Sequence, residues 1–300
     1  MMINYLTKIM KLKFAVFHQP SRPMTTLKQI SMRLKSIKSI QKVTKTIKLV
    51  SAVKYANAEY ELQLVHSYGE RITPFFKKYC ATENFECLEK DNKLIVAITS
   101  DHGLCGTLNT NVSKAILNEL AVESTKCITK VVCVGDKSRV LLQRLFCAEK
   151  IAVVTNEISC KPTTFLDASK VAIQLLSLDY TCGKIVFNRL KSIVAYQIAE
   201  IPLISFKTML TAPMLQAYNS LDQSVAESYQ DFTVAALIYY SFKHSVCSEQ
   251  LSRMTAMDNA SKNANEIYKK LTLKFNRTRQ NAITRDLIEI TSGAGISKSI

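Results

Sequence analysis

The sequence predicts a mixed α/β fold in which two long terminal helices pair as an antiparallel coiled coil and flank a central α/β domain. Three observations predict it. Neither Gly nor Pro occurs between Pro213 and Gly293, and neither occurs from Met24 to Tyr68. Those two residues are the strongest local interrupters of a helix, so each gap reads as one continuous helix. Between the gaps the apolar period shortens into buried strands that alternate with helical stretches, the pattern of a largely parallel sheet.

Residues 1–24 contain Lys8, Lys11, Lys13 and Arg22 among apolar side chains and no acid. This acid-poor amphipathic composition suits an organelle import peptide. Lys11 and Lys13 interrupt any secretory apolar core, and no apolar run reaches the roughly 20 residues of a membrane span.

The N-terminal long helix is expected over 25–80. Thr26 and Gln29 have the spacing of a capping box. Leu27, Ile30, Leu34, Ile37, Ile40, Val43, Ile47, Val50 and Val53 step by threes and fours, which reads as one apolar seam against a second helix. The other faces are basic, and the first acid of the chain is Glu59. Residues 1–58 hold 12 Lys and Arg, whereas the remainder holds 28 against 24 acids, so nearly all of the net charge of +16 lies in the import segment and this helix. A merely solvated face would not need to exclude acids, since mixed signs at i,i+4 support a helix. An acidic protein surface is the favoured partner. A basic coiled coil that binds nucleic acid is the alternative, although aromatic interleaving and helix-turn-helix punctuation are missing.

The central domain is expected over 92–208. Leu94–Thr99, Ile128–Val134 and Ile151–Thr155 read as buried strands, each followed by a helix (Asn109–Val122, Asp136–Phe146, Thr164–Leu178), and Lys184–Leu190 and Ile193–Ile204 form a final strand pair. The result is a Rossmann-like α/β domain. The loop after the first strand, Ser100-Asp101-His102-Gly103-Leu104-Cys105-Gly106, lies where such folds bind ligands. It lacks both the dinucleotide glycine pattern and the Lys-Ser/Thr of a P-loop, so it is read as a structural turn. The nine cysteines include no C-x-x-C pair and read as reduced core thiols; His18, His66, His102 and His244 have no ligand spacing. No metal and no cofactor are expected.

The C-terminal long helix is expected over 220–292, with Ser220 and Gln223 as a capping box and Gly293 as its stop. Ala256, Ala260, Ala264, Ile267, Leu271, Phe275, Thr278 and Ala282 form a narrow stripe for close helix contact. This helix outruns the first by about 20 residues, or about 30 Å at 1.5 Å per residue. Its tip, with Ile283, Leu287, Ile288 and Ile290 beside Arg277, Arg279, Arg285 and Glu289, calls for an enclosing partner.

The stretches Leu27–Ala56, Thr99–Asn109 (TSDHGLCGTLN) and Ser248–Ala294 (SEQLSRMTAMDNASKNANEI and onward) closely resemble the gamma subunit of F-type ATP synthases in its mitochondrial form. The resemblance runs from about Thr26 to Ala294. It implies a central rotor shaft of the F1 part, without an active site of its own, that couples c-ring rotation to the catalytic sites of the beta subunits. Implied partners are the alpha and beta subunits, the delta and epsilon subunits and the c-subunit ring, on the matrix side of the mitochondrial inner membrane. The resemblance matches Arg279, Gln280 and Thr284 to the positions that engage a beta-subunit loop. It places Lys35, Lys38, Lys42, Lys45 and Lys48 toward acidic beta loops, and Ile283, Leu287, Ile288 and Ile290 in an apolar sleeve. His102 departs from the family's usual Arg, and Ile47 stands where bacterial relatives commonly carry Met.

Overall fold

The long helices begin and end on local signals. In the computed structural model, which describes residues 26–82, 92–122, 128–145, 151–155, 162–192, 195–210 and 222–297, α1 spans Leu27–Thr82. The expected capping box closes it: Thr26 N donates to Gln29 Oε1 at 3.2 Å and Gln29 N to Thr26 Oγ1 at 3.4 Å. The C-terminal helix α6 spans Gln223–Ser297. It runs past Gly293, where a stop was expected, because a single glycine costs a helix only about 1 kcal/mol. Asp222 precedes its first turn and accepts the Ala226 N–H through its backbone carbonyl. Ser220, and the import segment 1–24, lie outside the described residues.

Between them run β1 (Asn92–Ile98), α2 (Leu108–Val122), β2 (Ile128–Val134), α3 (Asp136–Leu145), β3 (Ile151–Thr155), α4 (Phe165–Leu176), β4 (Cys182–Leu190), β5 (Tyr196–Ile204) and the short α5 (Phe206–Leu210). The strand order is β3-β2-β1-β4-β5, parallel except for the antiparallel β4–β5 pair. Alternation along β1 divides the core. Ile95 and Ala97 pack with Val112, Ile116 and Leu142 of α2 and α3. Leu94, Val96 and Ile98 face α4 and the first part of α6, including Val234, Leu237 and Ile238. Thr164 caps α4 with a reciprocal Asp167 bond.

The described residues divide into two units, one within residues 42–262 and one that pairs residues 26–41 with residues 263–297. In the larger unit α6 is buried on nearly all sides from Thr233 to Ser252. The narrow stripe expected of it describes only its later part, because here one face meets the sheet and another meets α1. Tyr55, Ala58 and Leu62 of α1 pack on Cys247 and Leu251, and Lys48 meets Asp258 whereas Glu61 meets Lys243, so the two helices run antiparallel as expected. In the smaller unit Gln41 Nε2 meets Asn265 Oδ1 at 3.4 Å in the same sense.

The seam itself is not the one read from apolar spacing. Ile40, Val43, Val50 and Val53 are all more than half exposed. The residues turned inward are Gln41, Thr44, Lys48 and Ser51. They continue the three-four steps of Leu27, Ile30, Leu34 and Ile37, which Ile40 breaks. Along α6, Ala264 is buried, whereas Ile267 is nearly half exposed. This part of the seam is polar, and Lys48 Nζ lies 2.6 Å from Asp258 Oδ1.

Cys105, Cys133 and Cys247 are buried free thiols, as expected. Cys182, at the start of β4, is disulfide-bonded instead.

His244 of α6 is buried against the Tyr240 ring, 4.5 Å between centroids, and neither ring nitrogen has a protein partner. Burial, then the nearby charge of Arg189 and the His66 ring, pushes its pKa down to about 3. Protonation therefore favours the unfolded chain, whose His titrates near 6.5. This contribution to stability is complete above about pH 6.5 and is lost as pH falls toward the folded value. His244→Phe should remove about 2 kcal/mol of the stability lost between about pH 6.5 and about pH 5, measured as denaturant midpoints of the full-length chain. An unchanged pH slope would show that His244 is not the titrating group.

Candidate functional site

Two regions gather the chemistry-bearing side chains: the carboxyl end of the sheet and the outer faces of the long helices. In doubly wound sheets, ligands bind at the carboxyl ends of strands where the strand order reverses, here between β1 and β4. In this chain α6 crosses that position. Ser248 Oγ donates to Asn188 O of β4 at 3.1 Å, and Ser252 Oγ donates to Cys105 O in the loop after β1 at 2.6 Å. The crevice that would admit a nucleotide is filled by the chain's own helix.

The loop is built to receive it. Leu104 and Gly106 have φ of 65° and 59°, which folds the backbone back on itself. Asn109 ties the loop internally: its Oδ1 accepts from Ser100 N at 3.2 Å, and its Nδ2 donates to Ser100 Oγ at 2.8 Å. Asp101 Oδ1 accepts the Asp136 N–H at the start of α3, and Arg253 reaches Gly103 O at 3.4 Å. Arg253 also pairs with Glu249 one turn earlier, and both side chains are largely buried. Burial raises the Glu249 pKa, opposed by the Arg253 charge beside it. Asp101 and His102 are thus part of a satisfied turn. Two motifs noticed separately in the sequence, Thr99–Asn109 and the stretch from Ser248, meet here. The roles of Glu249, Ser252 and Arg253 were missed, because nothing in sequence spacing reports contact across about 150 residues.

The outer faces differ in character. At about 100° per residue, Lys35, Lys38, Lys42 and Lys45 fall within about 80° of one another on α1, and all four are exposed. Lys48 departs from this set, since it turns inward to Asp258, which Lys262 also holds at 2.8 Å. Hydrogen bonds from Lys262 and then Lys48 hold the Asp258 pKa down to about 2. A second three-four series, Ile40, Val43, Ile47 and Val50, occupies another sector. Ile47 alone among these four is partly covered.

Near the end of α6, Arg279, Gln280, Thr284, Ile283, Leu287, Ile288 and Ile290 are all exposed and share about half of the helix circumference. The Thr284 hydroxyl donates to Gln280 O at 3.0 Å, and Arg285 pairs with Glu289 at 2.9 Å. The sector opposite them holds Leu271, Phe275 and Ala282, which are partly buried. Among the described residues no group of His, Cys, Asp or Glu could hold a metal ion, and no helix is long and apolar enough to cross a membrane.

A family model described as ATP synthase matches residues 26–295. The mitochondrial ATP synthase subunit gamma of Drosophila melanogaster is 51% identical over 278 residues, 92% of each chain. The mitochondrial ATP synthase F(1) complex subunit gamma of Rattus norvegicus is 43% identical over 272 residues, 90% of this chain and 98% of its own. In fold, the chain resembles one from the OSCP/F1/c-ring part of Euglena gracilis mitochondrial ATP synthase, with a TM-score of 0.75 at 20% identity, covering 90% of this chain and 93% of that one. The nucleic-acid reading of the basic helix finds no support among these relatives. The chain belongs to the ATP synthase family, and within it to the mitochondrial gamma subunits.

Proposed function

We propose that this chain is the central-stalk rotor of mitochondrial ATP synthase, a subunit that transmits rotation and carries no catalytic group of its own. Its solved structural neighbours include a central stalk with its c-ring and an OSCP/F1/c-ring assembly. By that likeness the partners are the alpha and beta subunits around the helix pair, the delta and epsilon subunits and the c-subunit ring at the α/β domain. The complex then lies on the matrix side of the inner membrane. The observation that carries the reading is the plugged crevice: α6 takes the place of a nucleotide at β1 and β4. A nucleotide-binding fold has become a structural foot, and the nucleotide belongs to the partners.

Coupling requires contacts that differ between rotor orientations, since only differential interaction shifts an equilibrium between states. Arg279, Gln280 and Thr284 supply such contacts toward a beta-subunit loop. Ile283, Leu287, Ile288 and Ile290 run in an apolar sleeve, and Lys35, Lys38, Lys42 and Lys45 face acidic beta loops. Reconstituted complexes carrying Arg279→Ala with Gln280→Ala should lose both ATP hydrolysis and proton-driven synthesis by about tenfold, the effect of removing about 1.4 kcal/mol of transition-state interaction. The helicity of the subunit should be unchanged. Parental rates in that double variant would sink the engagement assignment.

Reversing Lys35, Lys38, Lys42 and Lys45 together to Glu should weaken assembly, most strongly at low salt. Single reversals should each change it by only about 0–1 kcal/mol. Lys48→Glu should behave differently, by unsettling the helix pair through Asp258. Salt-independent assembly of the fourfold variant at parental strength would mean that the basic sector is only solvated.

A further inference from the structure

The core between the sheet and α6 contains a small cavity, lined by both polar and apolar side chains, that the rotor reading does not use. It is open to a water molecule's centre over about 10 Å³. Its wall includes Asn188 of β4, Ser245 and Glu249 of α6, and Thr163 just before α4, together with Ile98 and Phe242. Asn188 is fully buried, and neither its Oδ1 nor its Nδ2 has a protein hydrogen-bond partner. The hydroxyls of Ser245 and Thr163 are equally buried and equally unpartnered.

This is not how α6 usually treats its hydroxyls. Ser241 donates to Leu237 O at 2.8 Å and Thr255 to Leu251 O at 3.0 Å, each one turn back. Ser248 reaches Asn188 O. Ser245 lies between them and makes no such bond, although it borders the cavity. Three residues from separate elements, which together carry four unpartnered buried polar atoms, therefore line one space, and buried polar groups are very rarely left without a partner.

The size and the chemistry of the wall identify the occupant. A single water needs roughly 10–15 Å³ of such space and two to four polar partners. Asn188 offers both a donor and an acceptor, and each hydroxyl offers either. A cation is disfavoured because the one carboxylate in the wall, Glu249, is already neutralised by Arg253. A larger ligand has no room. We propose that Asn188, Ser245 and Thr163 hold one ordered water molecule that joins β4, α6 and the entry to α4.

The test is a map of the assembled complex at a resolution that shows ordered water, collected with sodium and again with rubidium as the monovalent cation. The proposal expects one peak within about 2.7–3.2 Å of the Asn188 amide and the Ser245 hydroxyl, without rubidium anomalous signal. It expects loss of that peak in Asn188→Leu, where the amide is replaced by an apolar group of similar size. A rubidium signal at the site would make it a cation site and overturn the proposal. So would a peak-free cavity, or Asn188 bonded directly to Ser245 or Thr163. The parental map decides the matter by itself should the variant fail to assemble.

Discussion

Arg253→Ala is expected to be among the most damaging single changes in the chain. It leaves the Glu249 carboxylate, which is almost fully buried, without the guanidinium it pairs with, and it removes the tie to Gly103 O. Breaking a buried pair from one side typically costs about 3–5 kcal/mol. Removing both charges should cost much less, since a buried pair is often no more stabilising than apolar groups of the same volume. Glu249→Leu with Arg253→Met is therefore expected to lie nearer the parental denaturant midpoint than Arg253→Ala does. The single variant has a further signature. Burial already raises the Glu249 pKa and Arg253 lowers it, so its loss raises the pKa further. A buried acid of raised pKa destabilises when ionised and is relieved as pH falls through its folded pKa. The deficit of Arg253→Ala should thus shrink at mildly acidic pH. Equal losses in the single and double variants would show that packing, not charge, is what the pair provides.

Gly69→Ala is expected to destabilise, against the usual sign. In the interior of a helix this change ordinarily stabilises by about 1 kcal/mol. Here a β-carbon would overlap the Tyr240 ring. That ring is buried and flanked edge-on by Phe187 and His244, so displacing it disturbs its neighbours. Overpacking of a fixed core costs about 1–3 kcal/mol, enough to cancel the helix gain and reverse it. Thermal midpoints of Gly69→Ala and of Gly69→Ala with Tyr240→Leu test the cause, since the shorter side chain should restore the ordinary sign. A stabilised Gly69→Ala protein would refute the close approach.

Most of the architecture could be read from residue patterns, because the patterns that decide it are local. The strands Ile128–Val134 and Ile151–Thr155 match the bounds read from their apolar runs, the box at Thr26 closes α1 where expected, and a helix begins at Thr164 where one was read. The errors came where a contact chose among several plausible faces. Ile40, Val43, Ile47 and Val50 read as a continuation of Leu27–Ile37 because apolar residues usually mark the buried face. Only the partner helix shows that the continuous period runs through Gln41, Thr44, Lys48 and Ser51. An apolar series left outside a satisfied seam is itself informative, since it marks where a helix meets something beyond its first partner. Among the predicted functional residues, those at the tip of α6 were legible as one sector, because helical spacing alone sets it. Lys48 was not, because its position depends on Asp258, more than 200 residues away. Gly293 failed as a stop for a simpler reason: no left-handed residue is needed where the backbone continues as helix.

The polar seam has a consequence for how the two helices find one another. A seam of interchangeable apolar residues can slide by a heptad and lose little, since each knob meets an equivalent hole. Unlike partners do not tolerate that shift. Gln41 with Asn265 in one unit and Lys48 with Asp258 in the other act as graduations on a ruler, each satisfied at a single alignment. Polar residues at such positions give up stability to fix alignment. For a part that must present its outer faces at a set height to its neighbours, a pairing that is weak but unambiguous is worth more than one that is strong and degenerate.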